Sequence, residues 1–152
     1  EALSLVEEWY PELLSEEPVV DPNNHDISTE TMFALNRAGM GDKLRRLRAV
    51  EEAHQERDHS NRPPAQTASA LAFNAAAAGD TEEAVRLLRQ AVDQGWLGSA
   101  EFGWKLTESE YLGEAASSPE VAELQDRLDS IFAAQREAVR QQLADLGPGA
   151  RF

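Results

Sequence analysis

The stretch that decides the fold is QTASALAFNAAAAGDTEEAVRLLRQAVDQG, residues 66–95. Up to Ala78 it consists almost entirely of small and apolar residues, which predicts a buried helix whose neighbours approach its backbone closely. Gly79 ends that helix, and Asp80 followed by Glu83 is typical of a capping box at the start of another. The second helix carries an apolar face at helical spacing, formed by Ala84, Leu87, Leu88 and Ala91. These residues therefore predict a helical hairpin with a short turn.

Helical patterns continue on both sides of this hairpin, and convincing strand-like alternation is absent from the sequence. The chain has 24 alanines and only 7% aromatic residues, a composition that favours closely packed helices over a β-sandwich. We expect Pro11 to kink the first helix and Asp26 or Ser28 to cap the second. Further helices are predicted over residues 2–14, 27–38, 42–57 and from Ser118 to about Leu146.

Residues 66–95 resemble a tetratricopeptide repeat (TPR), the family in which small residues let two helices cross closely and a Gly-acid turn joins them. The matching positions are the small and apolar ones of both helices and the turn: Leu71, Ala72, Ala75, Gly79, Asp80, Ala84, Leu88 and Ala91. The resemblance implies an all-α fold, a TPR-like α-solenoid of stacked helical hairpins with a right-handed superhelical path.

A degenerate copy of this repeat precedes it, over about residues 26–57. Setting Gly39 against Gly79 gives an offset of 40 residues, compared with about 34 in the family, so the loop before Gln66 would be expanded. Arg48 and Glu51 occupy positions where the family places an apolar and a small residue. The offset aligns three further pairs of core residues: Leu35 with Ala75, Leu44 with Ala84, and Leu47 with Leu87.

Residues 96–146 form an atypical C-terminal part that closes the array. The clear repeat, followed by aromatic residues and a long helix, looks like the C-terminal TPR segment of bacterial multidomain regulators, where it often follows a cyclase, kinase or winged-helix module. Because the chain begins without Met in the middle of a helical pattern, we expect residues 1–152 to be one domain from a longer protein. The expected core anchors of this part are Trp96, Phe102, Trp104, Tyr111 and Leu112.

The final helix starts at Ser118-Pro119, a favourable N-terminal pair, and carries apolar residues at nearly heptad spacing. Packing over the array as a C-terminal cap explains this stripe, and homodimerisation through its distal half is the alternative. The stripe comprises Val121, Leu124, Leu128, Ile131, Phe132, Val139, Leu143 and Leu146.

The TPR resemblance also implies a partner-binding groove along the concave side of the first helix of each repeat. In members that grip a terminal carboxylate, Lys and Asn occupy positions held here by Ser69 and Phe73. Phe33 and Phe73 would instead offer apolar contacts flanked by acids, which suits an amphipathic helix or a basic peptide, although both rings could equally be core residues. The groove residues implied in this way are Asp26, Glu30, Phe33, Asn36, Arg37, Gln66, Ser69, Phe73 and Ala77.

Composition and charge exclude several classes of function. The formal charge of −14 argues against a general nucleic-acid binder, and the basic residues concentrate in residues 31–62. Within that stretch we expect Arg48 to pair with Glu52 rather than bind phosphate. No apolar run could span a bilayer, and the N-terminus does not resemble a signal peptide, so we expect a soluble, cytoplasmic protein without membrane contact.

Catalytic and metal-binding signals are weak. The chain has no Cys, no phosphate-binding loop and no nucleophile elbow. Glu51 and His54 have the spacing of a di-iron half-site, but no second copy exists, and a zinc site from His54, Asp58 and His59 competes with a solvated helix end. We therefore expect no enzyme activity, no cofactor and no metal. We expect an interaction or regulatory module that binds a protein or peptide, and the alternative is a structural spacer or a homodimerisation domain.

Overall fold

The computed structural model describes residues 2–58, 63–98 and 105–145, and no strand occurs among them. The all-α class predicted from the sequence is confirmed. The α-helices are α1 (Ala2–Trp9), α2 (His25–Arg37), α3 (Gly41–Asp58), α4 (Pro64–Ala77), α5 (Thr81–Asp93) and α6 (Pro119–Asp145). Three 3₁₀ segments among the described residues cover Pro11–Leu14, Leu106–Glu108 and Glu110–Ser117.

Two helical hairpins, α2–α3 and α4–α5, turn in the same way. Gly39 and Gly79 have φ angles of +68° and +80°, which a residue with a Cβ adopts only with strain. In each turn the amide that follows the glycine donates to a carbonyl five residues earlier, Met40 to Leu35 and Asp80 to Ala75. This is the Schellman arrangement, and the two glycines predicted to be equivalent occupy equivalent places.

Asp80 caps α5 as predicted, but the capping box is only half formed. Its carboxylate accepts a hydrogen bond from the Glu83 amide at 3.3 Å. The Asp80 amide already donates to Ala75, so the Glu83 carboxylate accepts two hydrogen bonds from Arg86 instead. These bonds hold the pKa of Glu83 below its usual value.

The first helix is shorter than the sequence predicts, because Pro11 breaks it rather than kinking it. Tyr10 leaves helical geometry, and Pro11 then begins a 3₁₀ turn. The connector that follows is ordered around the buried side chain of Asn24, whose amide group donates to Glu12 and to the Val19 carbonyl, each at 3.0 Å.

Asn24 occupies the N-cap position of α2, so the expectation that Asp26 or Ser28 caps this helix is wrong. The turn through Asn24 lets the His25 amide donate to the Asp21 carbonyl at 3.0 Å, and the helix starts before Asp26. The Ser28 hydroxyl lies inside the helix, where it is fully buried.

Two apolar clusters meet at α4, which contributes to both. One joins α1, the Pro11–Leu14 turn, α2 and α3 around Leu13, Met32, Leu35 and Leu47. The other joins α4, α5, the second and third 3₁₀ segments and α6 around Leu88, Leu106, Leu112 and Leu128. The alanines of α4 are almost all buried, as the sequence predicts.

Helix α6 covers the second cluster with its first half only. Its 27 residues extend roughly 40 Å. Val121, Leu124 and Leu128 are buried, whereas every residue from 133 to 145 is exposed. Leu146, the last member of the predicted stripe, lies outside the described residues. None of the described helices combines the length and the hydropathy needed to cross a bilayer.

Candidate functional site

A cleft of about 340 Å³ opens between α2 and α4, and α3 forms its floor. We call it the α2–α4 cleft. It lies between the first helices of the two hairpins, with the 3₁₀ segment Glu110–Ser117 along one side. Its walls consist of His25, Asp26, Thr29 and Glu30 from α2, Glu51 and Gln55 from α3, Ala70, Phe73 and Asn74 from α4, and Ser109 and Tyr111.

The floor of the cleft contains a buried carboxylate. Glu51 is 1% exposed, and its two oxygens accept hydrogen bonds from the Ser28 hydroxyl at 2.8 Å and the Gln55 amide at 2.6 Å. The Ser28 hydroxyl also lies 2.7 Å from the His25 carbonyl oxygen, so its single proton is shared between two acceptors. No Lys or Arg in the described part of the chain forms an ion pair with Glu51.

Asn74 ties the two walls of the cleft together. Its side-chain oxygen accepts a hydrogen bond from the Thr29 hydroxyl at 2.8 Å, which joins α4 to α2. The residue is 1% exposed, and its Nδ2 atom has no hydrogen-bond partner within the described residues. An enclosed amide group that lacks an acceptor is rare in folded proteins and calls for an explanation.

Two aromatic rings supply the apolar surface of the cleft. Phe73 is partly buried and meets Trp96 edge to face, with the ring centres 6.2 Å apart. Tyr111 is 41% exposed, so the expectation that it anchors the core is wrong. The 3₁₀ backbone turns Leu112, Ala115 and Ala116 inward and leaves Tyr111 facing out. Phe102 and Trp104, two other expected anchors, lie outside the described residues.

The charges around the cleft are predominantly negative. Asp26, Glu30 and Glu51 line it, and no Lys or Arg is among the described residues that do. Among the described wall residues, the only basic side chain is that of His25, whose Nε2 atom lies 3.1 Å from the Asp26 carboxylate. Because charges of one sign that line a cleft concentrate their field, this lining favours cationic groups over anionic ones.

The structure brings only some of the predicted groove residues together. Asp26, Glu30 and Phe73 line the cleft, whereas Ser69 and Ala77 are buried within α4. The Ser69 hydroxyl donates to the Gln66 carbonyl at 2.8 Å.

The other predicted groove residues lie away from the cleft. Gln66 is exposed near the start of α4. Arg37 stacks over the Phe33 ring at 5.1 Å, and Phe33 packs against the first core cluster. Asn36 is exposed, beside Gly79.

Among the cleft residues that the sequence analysis did not assign to the groove are His25, Glu51, Gln55, Asn74, Ser109 and Tyr111. The repeat pattern assigns the groove to the first helix of each hairpin, and in the sequence Glu51 stands out only as a possible metal ligand and as a departure from that pattern. That departure was the available signal, because an acid in place of a small residue puts a charge inside a packed hairpin.

The sequence also suggested a metal site and an ion pair on α3. No group of three metal-ligating side chains that could hold an ion occurs in the described ranges, and His59 lies outside them. The predicted pair of Arg48 with Glu52 is confirmed at 2.7 Å, and Arg48 also contacts Asp80 at 3.3 Å.

Two neighbouring arginines on the same helix are also paired. Arg45 pairs with Asp42, and Arg46 pairs with Glu16. Arg45, Arg46 and Arg48 are therefore each paired with an acid of the same chain.

The α2–α4 cleft, with its acidic walls and enclosed amide, is the strongest candidate site in the described part of the chain. Comparisons with protein-family models, with curated proteins and with solved structures find nothing that matches this chain.

Proposed function

We propose that this chain is a non-catalytic protein-interaction module, a TPR-like array of hairpins that binds a peptide segment of a partner protein in the α2–α4 cleft. The observation that carries the proposal is that the cleft lies between the first helices of two hairpins with equivalent turns. That is the side on which stacked helical repeats present a concave binding surface.

The cleft combines the features that peptide recognition requires. Phe73 and Tyr111 offer apolar contact area, and the acidic groups give orientation and selectivity. The Glu51 carboxylate is held in place by hydrogen bonds from Ser28 and Gln55, so its position in the cleft is fixed. In this proposal the chain acts as a cytoplasmic regulatory module.

Selection from a displayed library of random peptides, followed by fluorescence anisotropy on the enriched sequences, tests the proposal. We expect Phe73→Ala to weaken the selected peptides by about tenfold or more, because truncating a central aromatic contact removes a large share of binding energy. Trp9→Ala is the matched control, since Trp9 is 70% exposed and lies on α1, away from the cleft. Selected peptides that bind both variants like the wild type would contradict the proposal.

A second function, self-association through α6, is favoured by the exposure of its distal half. Val139 and Leu143 are 53% and 46% exposed and lie one turn apart. Between residues 133 and 145 the two arginines, Arg136 and Arg140, balance Glu137 and Asp145, so this segment is neutral in a strongly acidic chain. Two such helices can pair without the repulsion that the rest of the surface would impose.

Sedimentation velocity over a range of protein concentrations tests this second function. If α6 mediates a dimer, Val139→Glu/Leu143→Glu should give a monomer at concentrations where the wild type is dimeric, because two acids then lie on the apolar face. The control is Ala134→Glu/Gln141→Glu, which adds the same charge on the opposite side of the helix. A wild type that stays monomeric throughout would rule out this function.

A further inference from the structure

On the floor of the α2–α4 cleft, one acidic group lacks an opposite charge and one hydrogen-bond donor lacks an acceptor among the described residues. Within the described ranges, no Lys or Arg pairs with the buried Glu51 carboxylate, and no acceptor meets the enclosed Nδ2 atom of Asn74. Buried charges in proteins are normally paired, and buried amide groups are normally hydrogen-bonded. Both deficits occur in one cleft, which points to a single ligand that supplies both groups.

We propose that the α2–α4 cleft contains a subsite for an arginine residue of the bound peptide. The guanidinium group is received by Glu51 together with Asp26 and Glu30, and the Asn74 amide donates to a backbone carbonyl of the same peptide. This inference rests on the proposed function, because it names the residue that the peptide-binding cleft selects.

The acidic residues that line the cleft determine which charge the ligand should carry. Three carboxylates line the cleft, and His25 is their only basic neighbour among the described lining residues. An anionic side chain would be repelled there, and a neutral one would leave the Glu51 carboxylate without an opposite charge. A cation gains from all three acids, and most from the buried one, where solvent screens least.

The aromatic walls favour a guanidinium group over an ammonium group. Guanidinium is planar and weakly hydrated, it stacks on aromatic faces, and it presents several donors at once to more than one carboxylate. The Phe73 and Tyr111 rings line the same cleft as the three acids. A lysine ammonium would retain more of its hydration and make fewer of these contacts.

The amide of Asn74 identifies the ligand as part of a peptide rather than a simple cation. A guanidinium group has only donors and cannot satisfy another donor. The acceptor must come from a different part of the ligand, and every arginine residue in a peptide carries carbonyl oxygens next to its side chain. Thr29 already holds the Asn74 oxygen, which fixes the orientation of the amide.

The test is an NMR titration of isotope-labelled protein with N-acetyl-arginine N-methylamide as the probe. The comparison ligands are its citrulline analogue, which keeps the shape without the charge, its lysine analogue, and n-butylguanidinium, which lacks carbonyl groups. We expect saturable shifts at residues around the cleft, with the citrulline analogue weaker by about tenfold or more and the lysine analogue of intermediate affinity. Equal affinity for the citrulline analogue, or no saturable shifts, would overturn the proposal.

Single substitutions distinguish the contact between the carboxylates and the guanidinium group from the contact between Asn74 and the peptide carbonyl. Glu51→Gln should weaken the capped arginine by about tenfold, and the wall variants Asp26→Asn and Glu30→Gln, which leave the buried floor intact, should each weaken it severalfold. Glu114→Gln removes an exposed acid outside the cleft and is the control. Asn74→Ala should weaken the capped arginine but leave n-butylguanidinium unchanged, and an equal loss for both ligands would overturn its assigned contact.

Failure of this inference can be told apart from failure of the proposed function. If library-selected peptides bind in a Phe73-dependent manner but contain no arginine and ignore Asp26→Asn and Glu30→Gln, the cleft binds peptides and the arginine subsite is wrong. If no selected peptide depends on Phe73, the cleft is not a peptide site, and both proposals fail.

Discussion

Leu128→Ala is expected to lower the free energy of unfolding by about 3 kcal/mol, because it leaves a cavity where a fully buried side chain packs. For a domain of this size that corresponds to a fall of about 6–12 °C in Tm. Urea titration followed by far-UV circular dichroism measures the change. Leu128 anchors α6 to the cluster of α4 and α5, so its loss tests whether the long helix is part of the folded core.

The matched control is Leu143→Ala, the same substitution on the same helix. Leu143 is 46% exposed, so we expect a change of no more than about 0.5 kcal/mol. Comparable losses for both variants would mean that the distal half of α6 is covered. If the Leu143→Ala loss grew with protein concentration, the covering surface would be a second copy of the chain.

Ala75→Leu is expected to cost about 2–3 kcal/mol, by overpacking rather than by leaving a cavity. Ala75 and Ala84 are both completely buried, in the cluster that holds α4 and α5 together. A larger side chain at Ala75 forces the two helices apart or displaces its neighbours. The change is measured by the same urea titration, and loss of side-chain NMR dispersion would accompany it.

Ala138→Leu is the control for this prediction, since Ala138 is exposed on α6 and Leu is nearly as good a helix former as Ala. We expect it to leave stability within about 0.5 kcal/mol. If Ala75→Leu were equally neutral, the hairpin would contain unfilled space beside α4, and the close approach of α4 and α5 would be refuted.

The two hairpins could be predicted from the sequence because their signals are local. Gly79 and Asp80 determine where one helix ends and the next begins through backbone conformation and capping, and Gly39 repeats the first of these signals. The start of α6 at Ser118-Pro119 is equally local, with the Ser118 hydroxyl accepting from the Val121 amide at 3.2 Å. Such features depend on residues within one or two turns of chain.

The binding surface could be predicted only in part, because it depends on residues far apart in the chain. The repeat pattern identified Asp26, Glu30 and Phe73, since it placed one face of α2 and α4 on the concave side. It also placed Ser69 and Ala77 there, although the packing of α4 against its neighbours on several sides buries them. No pattern in α4 distinguishes which small residue faces the cleft and which faces a helix.

The sequence by itself determined the helical class of this protein, its hairpin turns and the start of its long final helix, because capping residues and helical periodicity act over short distances. Only the tertiary structure decided that Glu51 and Asn74, 23 residues apart, would be enclosed beside Tyr111 in one acidic cleft. It also decided that the second half of α6 would extend beyond the core. Burial and partnership of a side chain depend on which helices pack around it, and that is a property of the whole fold.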